Sequence, residues 1–454
     1  MAEEYLLWMA PAMIPIMMTP VLHPVMQLDG DAGRSPLAIN IAAAVNILGD
    51  ILNVKIFHGG MAGIASATAV SCYAELMVLL FHYARKTSQL KPSPCLRIQM
   101  EWLKALSKGI PVMLHELTVF SVGIAINRLS FMLAGDDLVA AVAAGNSIFA
   151  LLIPGSLAVS GTVMTLGSIA KGEVDNKGVR NMFKMGLWYA VVPCSIYAFV
   201  FLISAVPLAQ FLSGGNGNLL NMSSAMIRGF AISFPLVAIC QIIESYLNVI
   251  EKRWLSTIVS MLEGGIAWIV FLVLLRHVEP VRRIWLGHLI GELSIVFIIA
   301  VIILFCRKLK RYRELSLNSK NDGEVLETTV CTFDEATEFS ESIRNLCLDN
   351  GINSRISMLA ALCAEEVVCN TLQWGYSEST DCAVDIRTVC RNEEITIRFR
   401  DLGRHFNPES YISQVLVKDR DPARNIGLRI VSNISSKMQY MCIVDCNILL
   451  IHIR

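Results

Sequence analysis

Three short motifs in the last third of the chain carry residues that could bind a nucleotide. In the first motif, Glu366 and Asn370 are four residues apart on a segment with helical periodicity, so both side chains project from one helix face. A carboxylate there can polarise a water molecule or hydroxyl while the amide oxygen holds Mg²⁺. The same pair is also common on helix faces that only meet solvent, so the first motif alone decides nothing.

The second motif, Asp401-Leu402-Gly403, directly follows a run of alternating apolar residues that predicts a strand. An aspartate at a strand end can accept a hydrogen bond from the amino group of adenine, and a glycine lets the backbone approach the base. In the third motif, Gly427 precedes a predicted helix, whose first backbone N–H groups could face phosphate. Both motifs also occur in ordinary turns and helix starts, so the informative feature is their combination.

Another set of candidates lies in long apolar segments earlier in the chain. Ionisable side chains are costly in lipid and are therefore default candidates for function. Glu116 is the strongest candidate for a functional residue among them, and the alternative is an interior hydrogen bond to a neighbouring helix. Asp50 lies at helical spacing from Asn46 and Asn53, which predicts a polar stripe that serves either helix packing or contact with a substrate or ion. Three further carboxylates stand alone and are expected near a cavity or an interface: Glu75, Glu244 and Glu292.

Two unlike parts of the chain must position these residues. Of the 454 residues, 54% are hydrophobic and 17% are charged, a balance that disfavours an ordinary soluble enzyme. Long apolar runs fill the first part, whereas beyond it no run approaches the ~20 residues that cross a bilayer. The net charge of zero sums both parts and gives no indication of nucleic-acid binding. The sequence predicts nine spans: Tyr5–Gln27, Leu37–Phe57, Met61–Tyr83, Ile110–Ala134, Leu138–Ala170, Met185–Leu212, Met222–Ile250, Trp254–Leu275 and Ile284–Cys306.

The distribution of lysine and arginine predicts the orientation of these spans, because basic loops stay in the cytoplasm. The loop Arg85–Lys108 is rich in basic residues, and so is the stretch that begins at Arg307. Both are predicted to be cytoplasmic, which puts the N-terminus outside. One short loop disagrees, because its three arginines would also lie outside: Arg276, Arg282 and Arg283.

The last part of the chain is predicted to fold on its own after a basic linker. We expect residues 1–306 to be the membrane domain, 307–323 a linker at the membrane surface and 324–454 a cytosolic domain. Helices on one face of a mixed sheet predict an α+β two-layer sandwich. The expected elements are a strand at Glu324–Cys331, a helix capped by Asp334, a helix at Ser354–Trp374, a hairpin of Ala383–Cys390 with Ile395–Asp401, a helix near Gly427–Lys437, and a hairpin of Met441–Val444 with Ile448–Ile453.

The apolar part resembles transporters of the multidrug and toxic compound extrusion (MATE) family. Such transporters have twelve helices in two lobes of six, so residues 1–84 resemble half of one lobe and residues 109–306 the whole of the other. The resemblance implies ion-coupled efflux of small cationic or amphipathic molecules, with transport roles for Glu116, Asp50 and Asn46. The residues that carry it are Gly30–Pro36 leading into Asn46–Asp50, Gly60–Thr68, Gly109–Pro111 with Glu116, and Ser245–Asn248.

The resemblance also implies three additional helices before Met1. They would return the N-terminus to the cytoplasm and would carry the acidic residue that the family uses for ion coupling. Two positions depart from the family pattern: Glu251 stands where glycine is usual, and Glu263 stands where arginine is common.

Taken in order, the three motifs of the last part resemble the ATP-binding domain (the GHKL type) shared by histidine kinases, gyrase-type ATPases and heat-shock chaperones. The nearest subset is that of the anti-sigma-factor serine kinases, and the resemblance covers Leu326–Ile453. Trp374 replaces the usual histidine and Asn425 the first loop glycine, which favours nucleotide binding over fast turnover. The implied cofactors are ATP and Mg²⁺, with Glu366 as general base, Asn370 as Mg²⁺ ligand, Asp401 and Gly403 as adenine contacts, and Gly427 in the phosphate loop.

Two functions remain open at this point. One is a MATE-like efflux transporter in a bacterial cell membrane, regulated by a cytosolic ATP-binding tail. The other is a membrane-anchored regulatory serine kinase or anti-sigma-type switch, in which the spans act as anchor or sensor and the tail binds a small α/β protein. The complete six-helix lobe favours the transporter, and the three missing helices favour the switch.

Overall fold

The structure is a computed structural model that describes residues 2–29, 31, 33–84, 100–213, 217–308, 324–376, 382–391, 394–412, 426–443 and 446–454. Contacts divide the chain into two compact units. Unit 1 comprises Met1–Leu96 and Gly323–Arg454, and unit 2 comprises Arg97–Asp322.

The N-terminal part of unit 1 is helical and coincides with the first three predicted spans. A short 3₁₀ turn joins the first two helices into one apolar segment, Glu3–Met26. The third and fourth helices pack closely, because a Cβ at Gly49 would lie 2.7 Å from Cβ of Ala67. These helices are α1 (Ala2–Met9), α2 (Met13–Leu28), α3 (Arg34–Leu52) and α4 (Gly60–Leu80).

Unit 2 is also helical, and its central element is the helix Gly217–Val249, which is buried on most sides by its neighbours. A π-helical turn, Leu262–Ile266, separates two short helices that together form one apolar segment, Arg253–Leu274. The helices are α5 (Met100–Gly172), α6 (Asn176–Ser213), α7 (Gly217–Val249), α8 (Arg253–Met261), α9 (Ala267–Leu274) and α10 (Pro280–Lys308).

Across the described residues, eight helices are long and apolar enough to cross a membrane, where the sequence predicts nine. The difference arises because the fourth and fifth predicted spans join in α5, whose apolar segment runs from Val112 to Gly172. The backbone leaves helical geometry at Ala134 and Gly135, and Gly135 has φ +70°. Residues before and after this point, such as Val122 and Val142, belong to one buried cluster, so the chain folds back there.

The C-terminal part of unit 1 contains a five-stranded sheet with strand order β1-β2-β3-β5-β4. All neighbouring strands are antiparallel, so the mixed sheet expected from the sequence is wrong. Two helices connect β1 to β2. In the sheet, β5 lies between β3 and β4. The elements are β1 (Glu324–Val330), α11 (Phe333–Asp349), α12 (Ser354–Asn370), β2 (Val384–Arg391), β3 (Glu394–Asp401), α13 (Pro408–Tyr411), α14 (Ile426–Ile434), β4 (Lys437–Ile443) and β5 (Cys446–Ile453).

Alternate residues of the central strands form one core with α11, α12 and α14. Ile397 and Phe399 of β3 are buried against helix residues such as Val368 and Val431, as expected for helices on one face of a sheet. The first helix is capped by Thr332 rather than by Asp334, since the Thr332 side chain accepts the N–H of Glu335. The last helix ends at Ile434, earlier than expected, because Lys437 already begins β4.

Candidate functional site

In the C-terminal part of unit 1, Asp401 ends β3 and is held through one of its two carboxylate oxygens. Oδ1 accepts the backbone N–H of Gly403 at 2.9 Å and Nδ2 of Asn447 at 2.8 Å. Within the described residues, Oδ2 makes no hydrogen bond. Asp401 is only half-buried, so an amino group of a ligand could reach Oδ2 without displacing a protein donor.

Gly403 lies in a turn that has no room for a side chain. A Cβ at Gly403 would lie 2.8 Å from the carbonyl oxygen of Gly375, and that oxygen accepts the N–H of Arg404 at 2.7 Å. Gly375 ends the π-helical turn that continues α12. The turn after Asp401 is therefore attached to the end of the helix that carries the first motif.

That helix presents Glu366 and Asn370 together, as their spacing predicts. Nδ2 of Asn370 donates to Oε1 of Glu366 at 2.7 Å and to the Glu366 carbonyl at 2.9 Å. The amide oxygen of Asn370 has no hydrogen bond from the part of the chain described, which leaves it free for a metal ion. The adjacent Glu365 instead accepts the hydroxyls of Thr337 and Ser340 and ties α12 to α11. Of the two glutamates, Glu366 is thus the one whose carboxylate is not bonded to α11.

Sequence reasoning missed the residue that orients Asp401. Asn447 is 4% exposed, and its Oδ1 accepts the hydroxyl of Tyr440 at 2.6 Å and interacts with Nδ1 of His405 at 2.9 Å. Burial raises the pKa of Tyr440, so the phenol remains a donor. An asparagine in a hairpin normally indicates a turn. The signal for its role is the register, which places Asn447 opposite Asp401.

The third motif is only partly visible. Gly427 is the second residue of α14, which packs against α12, so the predicted helix start is confirmed. Arg424 and Asn425, which belong to the predicted phosphate loop, lie outside the described residues. A contact of Gly427 with phosphate stays a prediction.

In unit 2, polar side chains from different helical segments meet among apolar residues. Nδ1 of His115 on α5 donates to the backbone oxygen of Ser260 at 2.8 Å and lies 4.0 Å from Oε2 of Glu263. Glu244 on α7 interacts with the Ser260 hydroxyl and with His115. Glu292 on α10 interacts with the Cys240 thiol and with Glu263. We define the carboxylate cluster as Glu244, Glu263 and Glu292.

Within the carboxylate cluster, Glu292 is the buried residue. It is 4% exposed, and its Oε2 has no hydrogen-bond partner among the described residues. A buried carboxylate oxygen without a donor is costly, and like charges repel strongly where the dielectric is low. The cluster can therefore take up a proton, whereas within the described residues no group of three or more His, Cys, Asp or Glu side chains is arranged to hold a metal ion. The expectation that Glu244 and Glu292 stand alone is wrong, since Glu244 lies near His115 and Glu263, and Glu292 lies near Cys240 and Glu263.

Glu116 lies on the exposed surface of unit 2, whereas its neighbour His115 points inward. The sequence placed the candidate ion site on Glu116, and its role in transport stays a prediction.

In unit 1, the predicted polar stripe of α3 faces α4. Nδ2 of Asn46 donates to Oγ1 of Thr68 at 3.2 Å, and Asn53 bonds the backbone around Gly60. Between them, Oδ1 of Asp50 is buried with no hydrogen-bond partner in the described ranges. Asn46 thus holds two helices together, while Asp50 keeps an acceptor available.

Two further polar groups connect the same helices. Nε2 of His23 lies 2.7 Å from Oε1 of Glu75, and its Nδ1 lies 2.7 Å from Oγ of Ser35, so Glu75 is not isolated either. Near the ends of these helices, His82 lies between Asp29 and Asp31, at 2.6 and 3.0 Å. Burial of Asp31 raises its pKa, but hydrogen bonds from Arg34 and His82 outweigh burial and hold the pKa below its ordinary value.

Comparison with known proteins identifies the fold of the helical part. A family model described as MatE matches residues 111–273. The chain is similar to a MATE protein in the bent conformation (18% identity, TM-score 0.56, covering 65% of this chain and 66% of that one). It is also similar to an outward-facing multidrug resistance MATE family transporter of the MOP superfamily (17% identity, TM-score 0.58, covering 65% of this chain and 67% of that one). A third similar structure is a mutant of the Vibrio cholerae MATE transporter VcmN (18% identity, TM-score 0.59, covering 68% of this chain and 70% of that one). The helical part has the MATE fold.

The chain spans about two thirds of the length of these MATE proteins. Among curated protein sequences, none is significantly similar to it. The matched range 111–273 lies within unit 2 and includes His115, Glu244 and Glu263 of the site described above.

Proposed function

We propose that the chain is an ion-coupled efflux transporter of the MATE type that exports small cationic or amphipathic molecules. The carboxylate cluster carries this proposal, because Glu244, Glu263 and Glu292 converge from three helical segments inside a MATE-like unit. A carboxylate group in an apolar interior takes up a proton or cation and releases it when the helices move apart. Exchange of that ion for a cationic substrate keeps the buried charge balanced in both states.

The test is transport by the full-length protein in liposomes, with ethidium as the probe and an imposed proton or sodium gradient. We expect gradient-driven movement of ethidium by the wild type. Glu292→Gln should lower the initial rate about tenfold or more, because the neutral amide cannot exchange an ion. Glu251→Gln changes an exposed loop carboxylate and serves as the matched control. Failure of the wild type to move ethidium under either gradient contradicts the proposal.

The second part of the proposal is that the C-terminal domain binds Mg·ATP and regulates transport. Its residues fit the nucleotide: Asp401 has a free oxygen for the adenine amino group, and Gly403 forms the tight turn that follows it. Asn370 would hold Mg²⁺, and Glu366 beside it would accept a proton from a water molecule or hydroxyl. ATP supplies a phosphoryl group and a triphosphate charge when bound. Attachment of the Asp401 turn to the end of α12 supports a single site.

The alternative is a membrane-anchored regulatory serine kinase or anti-sigma-type switch that acts on a small α/β protein. The observation that favours it is the Glu366–Asn370 pair at 2.7 Å, because a base beside a metal ligand suits transfer to a serine hydroxyl. Full-length protein that binds Mg·ATP, forms phosphoserine on an added protein substrate and moves no ethidium would establish this alternative. Glu366→Ala should then keep ATP binding and lose phosphoserine formation.

A further inference from the structure

A cavity of ≈ 520 Å³ opens at the end of unit 2 where α6 ends and α7 and α10 begin. It lies apart from the carboxylate cluster. Its charged lining residues are Arg228, Arg282 and Glu279, so the lining carries one net positive charge. The remaining lining is apolar apart from two asparagines, Asn218 and Asn221.

Arg228 is the unusual residue of this cavity. It follows the first residue of α7 by 11 positions, which places it about 17 Å along the helix axis and within the apolar segment Gly217–Val249. Its guanidinium makes no hydrogen bond or ion pair with any described residue. An arginine in such a segment costs free energy unless it lines a cavity and has a binding partner. A guanidinium presents a rigid fork of donors that matches phosphate or carboxylate.

The second cation, Arg282, is 72% exposed and lies 3.7 Å from Oε2 of Glu279. An exposed pair at this distance is weak. A ligand anion can therefore share Arg282, while Glu279 competes with it. Among the described residues Arg228 has no such competitor, so it should supply most of the affinity.

The wall of the cavity is apolar and closely packed. Trp285 of α10 packs directly on α7, because a Cβ at Gly229 would lie 2.4 Å from Cβ of Trp285. Leu202 and Ile232 extend the same wall. A site with arginines beside an aromatic and aliphatic wall fits a molecule with an anionic head and an apolar body.

The site also accounts for the loop that opposes the predicted orientation. Arg276, Arg282 and Arg283 lie at the end that the basic loops predict to be outside. Arg283 donates to the backbone oxygen of Leu272 and so stabilises the loop, whereas Arg282 lines the cavity. Two of the three arginines at this end thus have local contacts that are independent of topology.

We propose that this cavity binds the phosphate or carboxylate group of an anionic amphiphile, with Arg228 as the main contact and Arg282 as the second. A phospholipid headgroup and a free amphipathic anion offer the same chemistry. The proposal does not rest on ion-coupled efflux, since it concerns a different site and charge.

The experiment measures binding of phosphatidylglycerol and of dodecyl phosphate to the full-length protein in a neutral detergent, by native mass spectrometry, with phosphatidylcholine as the uncharged reference. Arg228→Gln should weaken binding of the anionic probe about tenfold or more, and Arg282→Gln less. Glu279→Gln should tighten binding, an effect that misfolding cannot imitate. Arg276→Gln is the matched control, because Arg276 bonds only its neighbour His277 among the contacts described and lies outside the cavity lining.

Binding of both probes identifies a lipid site, and binding of dodecyl phosphate alone identifies a soluble amphiphile. Equal binding of phosphatidylglycerol and phosphatidylcholine, with dodecyl phosphate binding unchanged by Arg228→Gln, overturns the proposal. So does a loss of binding in Arg276→Gln that matches the loss in Arg228→Gln.

Discussion

The carboxylates of unit 2 and the carboxylate of the C-terminal domain lie in opposite surroundings. Asp401 has two donors on one oxygen and leaves the other open at a half-buried surface. Glu292 is buried beside Glu263, with one oxygen that no described donor reaches. Donors that fix a charge suit recognition of a ligand, whereas carboxylates that crowd one another suit uptake and release of an ion. The same functional group is thus held by donors in one region and left with an unpartnered oxygen in the other.

The variant Asp401→Asn should have the largest effect, because it tests whether the open carboxylate oxygen of Asp401 binds the ligand. The amide would present a donor either to the adenine amino group or to Nδ2 of Asn447, and both already donate. We expect the affinity for Mg·ATP to fall about 100-fold or more, as measured by calorimetry on the full-length protein. Glu394→Gln, at the other end of β3, is the control and should bind normally. Unchanged affinity in Asp401→Asn would falsify the assignment of the adenine contact.

Glu292→Gln tests the other side of the comparison through stability. As the pH rises, Glu292 of the wild type becomes charged while its Oε2 has no donor among the described residues, whereas the amide stays neutral. The variant should therefore gain stability relative to the wild type as pH increases, by about 1–3 kcal/mol at high pH. Thermal unfolding in detergent between pH 5 and 9 measures the difference. A difference that is constant across this range would contradict proton exchange by the cluster.

Asn447→Ala asks whether the fixed charge of Asp401 depends on its neighbour. Loss of the Nδ2 donor frees the carboxylate to rotate, so ATP affinity should fall about tenfold. Asn447 acts by positioning, which gives a distinct signature: Asn447→Asp, which retains an acceptor for Tyr440 but not the donor, should bind as weakly as Asn447→Ala. The measurement is the same titration with Mg·ATP. Wild-type affinity in Asn447→Asp would show that Asn447 supports only the fold.

The sequence predicts local features of both regions well and their long-range partners poorly. Alternation identifies β3 and places Asp401 at its end, and helical spacing joins Glu366 to Asn370. The Asn447 contact instead depends on strand pairing across 46 residues. The carboxylate cluster depends on the relative rotation of α7 and α10 and on the π-helical turn between α8 and α9, none of which periodicity fixes. The same limit applies to Glu116 and His115, which are adjacent in sequence but lie ~100° apart around the helix.

The smallest predicted effect concerns one residue with positive φ in each of the two regions. Glu251, between α7 and α8, has φ +61°, and Gly351, after α11, has φ +75°. Non-glycine residues are disfavoured there, and no atom crowds a Cβ at Gly351, so only conformation is at stake. Glu251→Gly should therefore stabilise unit 2 and Gly351→Ala should destabilise the C-terminal domain, each by about 1 kcal/mol. Thermal unfolding of both variants measures this, and equal signs for the two changes would contradict the strain at Glu251.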